Sequence, residues 1–409
     1  MQMDCFNFTC QGESHKATNK VCQDYSYSMT YENGNAIAIV CDGHGGKRYF
    51  RSDIGSKLAG EVTEKNVLIF INSICDSLFI DKPYTSITSI ATQISNEQFE
   101  KESAIDKAFR QLFASIIYDW NSKIIEHAKS TPLTEQEMSE MEVGWINDFN
   151  NGQSLEKVYG CTLMAYVQTP KYWFAFHIGD GKCISFDSDA KWREPIPWDE
   201  RCFLNKTTSL CDSTAIDEFR YCVQGNGEFP IAIFLGSDGM DDSFGAETNL
   251  VNFYVQIIKE IVQNSKGAVI SEIKNTLPQL SKIGSKDDMS LAVVYNKERL
   301  VEAYPKFILW QIESTKRNIS EINQRIIDKR LKISELEKVE IVTQKIQIEY
   351  NYANADIAKL FTEKIKQVKK IDILSNELYG ENYTPYMDEI GIDADNENIS
   401  EKEETTSEQ

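Results

Sequence analysis

The sequence has little positive charge for its size. Its 409 residues carry 43 Lys and Arg against 63 Asp and Glu, which gives a formal net charge of −20 at pH 7. Contacts to nucleic-acid phosphates require clustered Lys and Arg, so we exclude a nucleic-acid-binding surface. The acidic excess fits a solvated surface and is compatible with a carboxylate-rich cation site.

Two further absences narrow the class of protein. No apolar run is long enough to span a membrane, and the opening MQMDCFNF has no basic segment followed by an apolar one. The ten cysteines are scattered from Cys5 to Cys222 without a CxxC pair or a regular spacing, so the sequence predicts no disulfide framework. We therefore expect a cytoplasmic protein with reduced thiols, no membrane association and a sizeable apolar core.

The stretch 36–46, AIAIVCDGHGG, carries the strongest local pattern. Ala36 to Val40 is a short apolar run rich in β-branched residues, which predicts a buried strand, and the strand ends at Asp42. The glycines that follow let the backbone approach a bound ion or anion closely. His44 lies inside this turn and is of the residue type that titrates near neutrality. A glycine-rich turn with a structural Asp is the alternative interpretation.

Carboxylates recur at the ends of other predicted strands. Asp24 precedes the aromatic run YSYSM, and a turn at Gly34 predicts a hairpin that brings Asp24 to Asp42. The remaining members of this set are Asp180 in HIGDGK, Asp238 in FLGSDGMDD, and Asp287 and Asp288 before the strand MSLAVVY. Clustered carboxylates repel one another unless cations compensate. Their convergence would therefore imply a site for a hard cation such as Mg²⁺ or Mn²⁺.

Other segments give coarser predictions. Helical patterns cover about 47–80 and 86–129, and 131–151 is typical of a connecting segment or flap. His15 is expected in a turn. His177, inside YWFAFHI, and Cys41, beside the first carboxylate, are expected to be core residues.

The stretch 305–378 predicts a long helical region. It has no glycine or proline after Pro305, and isoleucines recur every seven residues at positions 312, 319, 326 and 333. Such a stripe must be buried against another helix. The register then slips, which fits a coiled coil that dimerises or binds a partner, or a bend near 337–343 between two antiparallel helices. The acidic segment that follows, 380–409, is predicted to be disordered.

Together these motifs resemble the metal-dependent protein phosphatase type 2C family, in its bacterial-type branch, over about residues 6 to 296. The matching segments are QDY, DGHGG, YGCT, IGDG, LGSDGMDD and SKDDMS, in the family order. The resemblance implies a phosphatase domain over 1–299, an α+β four-layer sandwich of two mainly antiparallel β-sheets flanked by helix pairs. It also implies a serine/threonine phosphoprotein phosphatase that hydrolyses phosphomonoesters with a metal-activated water.

The resemblance also assigns roles to residues. Two Mg²⁺ or Mn²⁺ ions would be held by Asp24, Asp42, the Gly43 carbonyl, Asp238 and Asp287, and a further, weaker ion by Asp180 and Asp242. His44 matches the general acid that protonates the departing Ser or Thr oxygen. This chemistry needs no phosphoenzyme, which agrees with the absence of a Cys-x5-Arg nucleophile loop.

Two departures from the family pattern concern catalysis. Gln23 stands where the best-studied members carry Glu, and Asn19 stands where they often carry an arginine that grips the phosphate. The replacement cation is left open among His15, Lys16, Lys20, Lys47 and Arg48. These losses favour an alternative function, in which a catalytically weak, phosphatase-like domain acts as a phospho-sensor or scaffold through its C-terminal coiled coil.

Overall fold

The computed structural model describes residues 2–87, 104–203, 206–338, 343–380 and 383–386. The chain divides into two compact units, one that ends at Glu302 and one that starts at Ala303. The strands are β1 (Asp4–Cys10), β2 (Tyr25–Thr30), β3 (Ala36–Cys41), β4 (Thr85–Ile87), β5 (Leu163–Gln168), β6 (Trp173–Ile178), β7 (Lys182–Phe186), β8 (Trp192–Arg193), β9 (Arg220–Gln224), β10 (Ala232–Gly236) and β11 (Met289–Tyr295). The helices are α1 (Glu13–Ala17), α2 (Ser52–Ser73), α3 (Ala104–Ser130), α4 (Glu135–Glu140), α5 (Val143–Asn150), α6 (Leu155–Val158), α7 (Ala215–Glu218), α8 (Asp238–Asp242), α9 (Glu247–Gln263), α10 (Lys266–Ile283), α11 (Lys297–Glu337) and α12 (Gln344–Tyr379).

The first unit is built on two antiparallel sheets that pack face to face. One sheet has the strand order β1-β11-β10-β7-β8, and the other has the order β2-β3-β5-β6-β9-β4. Small and branched side chains from both inner faces, among them Ala38, Val40, Leu235 and Val294, form the apolar layer between them. All six residues of β3 are buried, which confirms the buried strand predicted there.

Helices cover the outer faces of both sheets. Phe70 of α2 and Phe109 of α3 pack edge-on against Phe174 of β6. On the other sheet, Tyr254 of α9 stacks on Phe234 of β10 with ring centroids 4.5 Å apart. Each fully buried large apolar side chain of this kind stabilises the fold by roughly 1.5–3 kcal/mol. The result is the predicted four-layer sandwich of two sheets flanked by helix pairs.

Two local predictions need correction. The segment 131–151 contains the helices α4 and α5 rather than an irregular connection, and α4 begins with a capping box between Thr134 and Glu137. Arg51 anchors this segment through its Nε to Glu137 Oε1 at 2.7 Å and through a guanidinium N–H to the Thr131 carbonyl. The predicted helix from 86 starts instead with strand β4; residues 88–103 lie outside the described part, and α3 begins at Ala104.

In the second unit, α11 and α12 pack against each other in antiparallel fashion. The buried contacts join isoleucines of α11 to apolar residues of α12: Ile308, Ile312 and Ile319 meet Val368, Ile371 and Leu374, while Ile322 and Ile326 meet Leu360. Polar contacts keep the same order, from Tyr304 with Glu377 to Lys329 with Asp356. Three isoleucines of the stripe, Ile312, Ile319 and Ile326, are thus buried within the chain, as the antiparallel alternative predicts.

Some predictions fall on residues that the structure does not describe. These are the centre of the predicted bend, at 339–342, and all but a few residues of the acidic segment 380–409. Across the described ranges, no helix combines the length and apolar character that crossing a bilayer requires.

Candidate functional site

The hairpin of β2 and β3 places the first two predicted carboxylates side by side. Tyr25 pairs with Cys41 at the end of the ladder, so Asp24 and Asp42 lie just beyond the last pair at the same end. Thr162 fixes the backbone there, because its Oγ1 accepts from the Asp42 N–H at 3.0 Å and its own N–H donates to the Asp42 carbonyl at 2.8 Å. The predicted approach of Asp24 to Asp42 is confirmed.

The other sheet delivers its carboxylates to the same end of the sandwich. Gly236, the last residue of β10, pairs with Leu291 of β11 and Lys182 of β7. Asp238 therefore follows β10 where Asp287 precedes β11 and Asp180 precedes β7.

The electrostatics of these side chains show that they share one cluster. Burial first, and then the charges of Asp288 and Asp238, hold the pKa of Asp24 well above its ordinary value. Burial, Asp238 and Asp24 do the same for the pKa of Asp42. Burial and Asp238 raise the pKa of Asp180 to about 6. Like-charge crowding of this kind is costly without a compensating cation.

The last two predicted ligands lie at the margin of the cluster. Partial loss of solvent contact raises the pKa of Asp242 and of Asp287, and in each case the charge of Asp238 adds to the effect. Both residues still present much of their surface to water. The structure therefore brings all six predicted carboxylates into mutual electrostatic range around Asp238.

Two features of the cluster fit a bound cation. Asp24 Oδ2 and Gln23 Oε1 are buried acceptor atoms without a hydrogen-bond partner, and an unsatisfied buried acceptor costs about 1–3 kcal/mol. Gly43 passes so close to its neighbours that a Cβ would lie 2.4 Å from the Gln23 carbonyl oxygen and 2.8 Å from that of Ser52. Only glycine leaves the backbone free to reach into the cluster at this point.

His44 lies beside the carboxylates in a tight polar setting. Its N–H donates to the Gly160 carbonyl at 3.1 Å, its ring meets Tyr49 edge-on, and its Nε2 is 2.7 Å from Ser209 Oγ. Burial, helped by the positive charge of Lys157, lowers the pKa of His44 to about 4. The imidazole is therefore neutral at pH 7 in this state, and an approaching anion would favour its charged form.

Asp288, which the sequence motif gives as the neighbour of a ligand, bonds to three positions in the segment between β1 and β2. Its Oδ1 accepts from the Gly12 N–H at 2.6 Å, and its Oδ2 accepts from the Gln23 N–H at 2.6 Å and contacts His15 Nδ1 at 2.9 Å. Burial alone would raise the pKa of Asp288, but these bonds outweigh burial and lower it. The bond from Asp288 likewise raises the pKa of His15.

His15 is thus a buried residue of α1 and not the turn residue expected from the sequence. His15, Asp287 and Asp288 lie close enough to hold a metal ion, yet both oxygens of Asp288 already have strong donors. We interpret Asp288 as a structural clasp that fixes Gln23 next to Asp24. The signal in the sequence was the doubled Asp directly before β11, because neighbouring residues of an extended chain point in opposite directions.

The predicted cations near the cluster differ in the groups that they contact. Asn19 adopts a left-handed backbone with φ of 55°, and the next residue, Lys20, places its Nζ 3.2 Å from the Gly45 carbonyl in the turn that carries His44. Arg48 lies over the Trp145 ring at 6.0 Å, and Lys16 faces Glu13 at 3.9 Å. Lys20 is thus a member of the predicted set that contacts the turn with His44 directly.

The other two core predictions are confirmed. Cys41 is fully buried, and His177 is 3% exposed with its Nδ1 3.1 Å from the guanidinium of Arg220. Sequence reasoning missed Ser209 and Lys157, because both lie outside the recognised motifs and reach His44 only through tertiary folding.

Several solved structures are similar to this chain at low sequence identity. The serine/threonine phosphatase Stp1 from Staphylococcus aureus is 14% identical over 72% of this chain and 96% of its own, with a TM-score of 0.40. PppA from Pseudomonas aeruginosa, a regulatory component of T6SS, is 14% identical over 72% and 98%, with a TM-score of 0.41. The catalytic domain of the phosphatase PstP, in complex with two manganese ions, is 15% identical over 72% and 97%, with a TM-score of 0.40.

No curated protein matches the chain in sequence. The family model described as "Protein phosphatase 2C" matches residues 11–277, which is more than half of the chain. This match spans the strands and turns that carry Asp24, Asp42, His44, Asp180 and Asp238. The chain belongs to the protein phosphatase 2C family.

Proposed function

We propose that this protein is a metal-dependent serine/threonine phosphoprotein phosphatase. The observation that carries the proposal is the convergence of carboxylates from both sheets around Asp238, with a buried and unpartnered Asp24 Oδ2 among them. Crowded carboxylates repel one another, and bound cations remove this repulsion. Membership of a family of protein phosphatases supports the same conclusion.

In this proposal the carboxylates and one backbone carbonyl hold two Mg²⁺ or Mn²⁺ ions. The ligands would be Asp24, Asp42, the Gly43 carbonyl, Asp238 and Asp287, and a further, weaker ion would be held by Asp180 and Asp242. Bound divalent cations supply Lewis acidity, which acidifies water and offsets the charge of a phosphoryl group. All these groups are oxygen donors, as hard cations prefer.

The remaining chemistry belongs to the protein. Hydrolysis adds water across the ester P–O bond, so the Ser or Thr oxygen that departs must take up a proton, and His44 is placed to provide it. Gln23 keeps a free Oε1 while its Nε2 donates to the His44 carbonyl and to Ser52. Lys20 supplies a positive charge at the turn, in the place of the arginine that Asn19 replaces.

The test is hydrolysis of p-nitrophenyl phosphate and of a phosphoserine peptide by the purified full chain, with Mn²⁺ and with EDTA. We expect Mn²⁺-dependent turnover that collapses in Asp42→Asn and in Asp238→Asn, because each change removes a ligand and a compensating charge. Asp328→Asn is the matched control, since Asp328 is an exposed residue of α11. Turnover near wild type in either site variant at saturating metal would refute the ligand assignment. An inactive wild type would favour the phospho-sensor or scaffold alternative.

Self-association or partner binding through 305–378 and a cytoplasmic location stay predictions. The buried stripes of α11 and α12 cover each other, but neighbouring apolar side chains remain exposed on both helices, namely Ile327, Leu331, Ile348 and Tyr352. Light scattering coupled to gel filtration of the full chain measures whether these side chains support a dimer.

A further inference from the structure

The Ser209 hydroxyl occupies the centre of a small hydrogen-bond network next to His44. Its Oγ lies 2.7 Å from His44 Nε2, 3.0 Å from the Cys161 carbonyl oxygen, 3.3 Å from the Cys211 N and 3.2 Å from Cys211 Sγ. Ser209 is 2% exposed, so water does not compete for these bonds.

The direction of each bond follows from the partners once His44 is taken as the proton donor. A hydroxyl has one proton and two lone pairs, and a carbonyl oxygen can only accept. The Ser209 proton therefore goes to the Cys161 carbonyl, which is a far better acceptor than the Cys211 sulfur. The Cys211 N–H fills one lone pair of the hydroxyl. A histidine that acts as a proton donor is charged and carries a proton on both ring nitrogens, so the other lone pair of the hydroxyl then accepts from His44 Nε2–H.

The loop around Ser209 is held in place independently of His44. The Ser209 N–H donates to Asp212 Oδ2 at 3.0 Å, and Asp212 Oδ1 pairs with Lys157 of α6 at 3.1 Å. The Leu210 N–H donates to the same Cys161 carbonyl at 3.0 Å. The hydroxyl is thus a fixed acceptor, and its position does not depend on the imidazole that it contacts.

We propose that Ser209 is a positioning residue that holds His44 by its Nε2–H and leaves Nδ1 as the nitrogen that exchanges a proton with the reacting group. Among the described residues, no group bonds to His44 Nδ1. The bond from Nε2–H to the hydroxyl prevents the ring from flipping, so one nitrogen always faces away from Ser209. This inference rests on the proposed role of His44 as the proton donor.

A spectroscopic experiment tests the bond without relying on activity. The chain has four histidines, so ¹H–¹⁵N spectra that correlate imidazole nitrogens with ring protons are simple to assign, with His44→Gln identifying the signals of His44. We expect a slowly exchanging proton on His44 Nε2 that is lost in Ser209→Ala and kept in Ser209→Thr. Ser185→Ala is the matched control, because Ser185 is a buried serine that donates to the Arg193 carbonyl. A proton on Nδ1 instead, or an unchanged His44 signal in Ser209→Ala, would overturn the proposal.

Kinetics then test the catalytic consequence. Ser209→Ala should lower kcat about tenfold on phenyl phosphate, whose leaving group needs a proton, and only slightly on p-nitrophenyl phosphate, with KM unchanged. Ser209→Thr should restore most of the loss. The double variant with His44→Ala should be no worse than His44→Ala alone, because the two residues act as a unit. Equal losses on both substrates would refute the positioning role, whereas a wild type inactive on every phosphoester would refute the proposed function and leave the spectroscopic test intact.

Discussion

Replacing Asp288 by alanine should destabilise the first unit without removing a proposed metal ligand. The carboxylate joins Gly12, His15 and Gln23, three positions in the segment between β1 and β2, to the start of β11. It is 2% exposed. In the variant, two backbone N–H groups and an imidazole lose their partner in a place that water does not easily reach.

The magnitude follows from the number of orphaned donors. Each buried donor left unpaired costs about 1–3 kcal/mol, and breaking a buried ionic contact by removing one partner costs about 3–5 kcal/mol in all. We therefore expect Asp288→Ala to lower the free energy of unfolding by about 4 kcal/mol. For a unit of this size the melting temperature should fall by about 6 °C. Asp288→Asn should lie in between, because its amide oxygen can still accept.

Thermal and urea unfolding, followed by circular dichroism in EDTA, measure this loss without a contribution from metal binding. Asp287→Ala is the matched control one residue away. The Asp287 side chain is 55% exposed and bonds mainly to the N–H of its neighbour at 2.8 Å, so its loss should cost under about 1 kcal/mol.

The two variants should separate stability from activity. With Mn²⁺ present, Asp287→Ala should lose turnover while keeping its stability, and Asp288→Ala should lose stability first. Equal unfolding free energies for the two variants in EDTA would refute the interpretation of Asp288 as a clasp.

Three further predictions follow from the site. His44→Ala should lose about 10²-fold or more in turnover on a phosphoserine peptide and much less on p-nitrophenyl phosphate; equal losses would contradict the acid role. Lys20→Ala should raise KM for small phosphoesters and Asn19→Arg should lower it, since a guanidinium makes bidentate, charge-assisted bonds to phosphate; steady-state kinetics on both variants decide whether another residue already fills this place. His15→Asn should destabilise the protein more at about pH 5.5 than at about pH 9, because the bond from Asp288 raises the pKa of His15 above the unfolded value of 6.5. The stabilisation by the charged imidazole is complete below pH 6.5 and is lost as pH rises through the folded pKa. Urea midpoints that shift equally at both pH values would show that the charge of His15 plays no part.

Much of the carboxylate cluster could be predicted from the sequence because the patterns that indicate it are local. The apolar run of β3, the turn at Gly34 and an Asp directly after the strand are written within a few residues of each other, and together they place Asp24 beside Asp42. The same pattern, a strand followed by Asp and Gly, recurs at Asp238, so the sequence also predicts that these carboxylates converge.

The rest depends on contacts that sequence spacing does not encode. Asp288 finds its partners more than 260 residues earlier in the chain, and Ser209 lies 165 residues after His44 in an irregular polar stretch. Neither contact is indicated by a repeating pattern of residues in the sequence. The isoleucines of α11 show a related limit, since a seven-residue stripe reports that a helix is covered but not which helix covers it.

The acidic cluster lies across the seam between the two sheets, with Asp24 and Asp42 on one side and Asp238 and Asp287 on the other. Ions held there would take ligands from both sheets and so link the two sheets to each other. A slip of one residue between strands moves a side chain by about 3.4 Å, far more than the tolerance of about 0.2 Å expected of metal–ligand distances. The affinity for metal would then depend on how the two sheets are aligned. Substitutions in the apolar layer between the sheets would weaken metal binding without replacing a ligand.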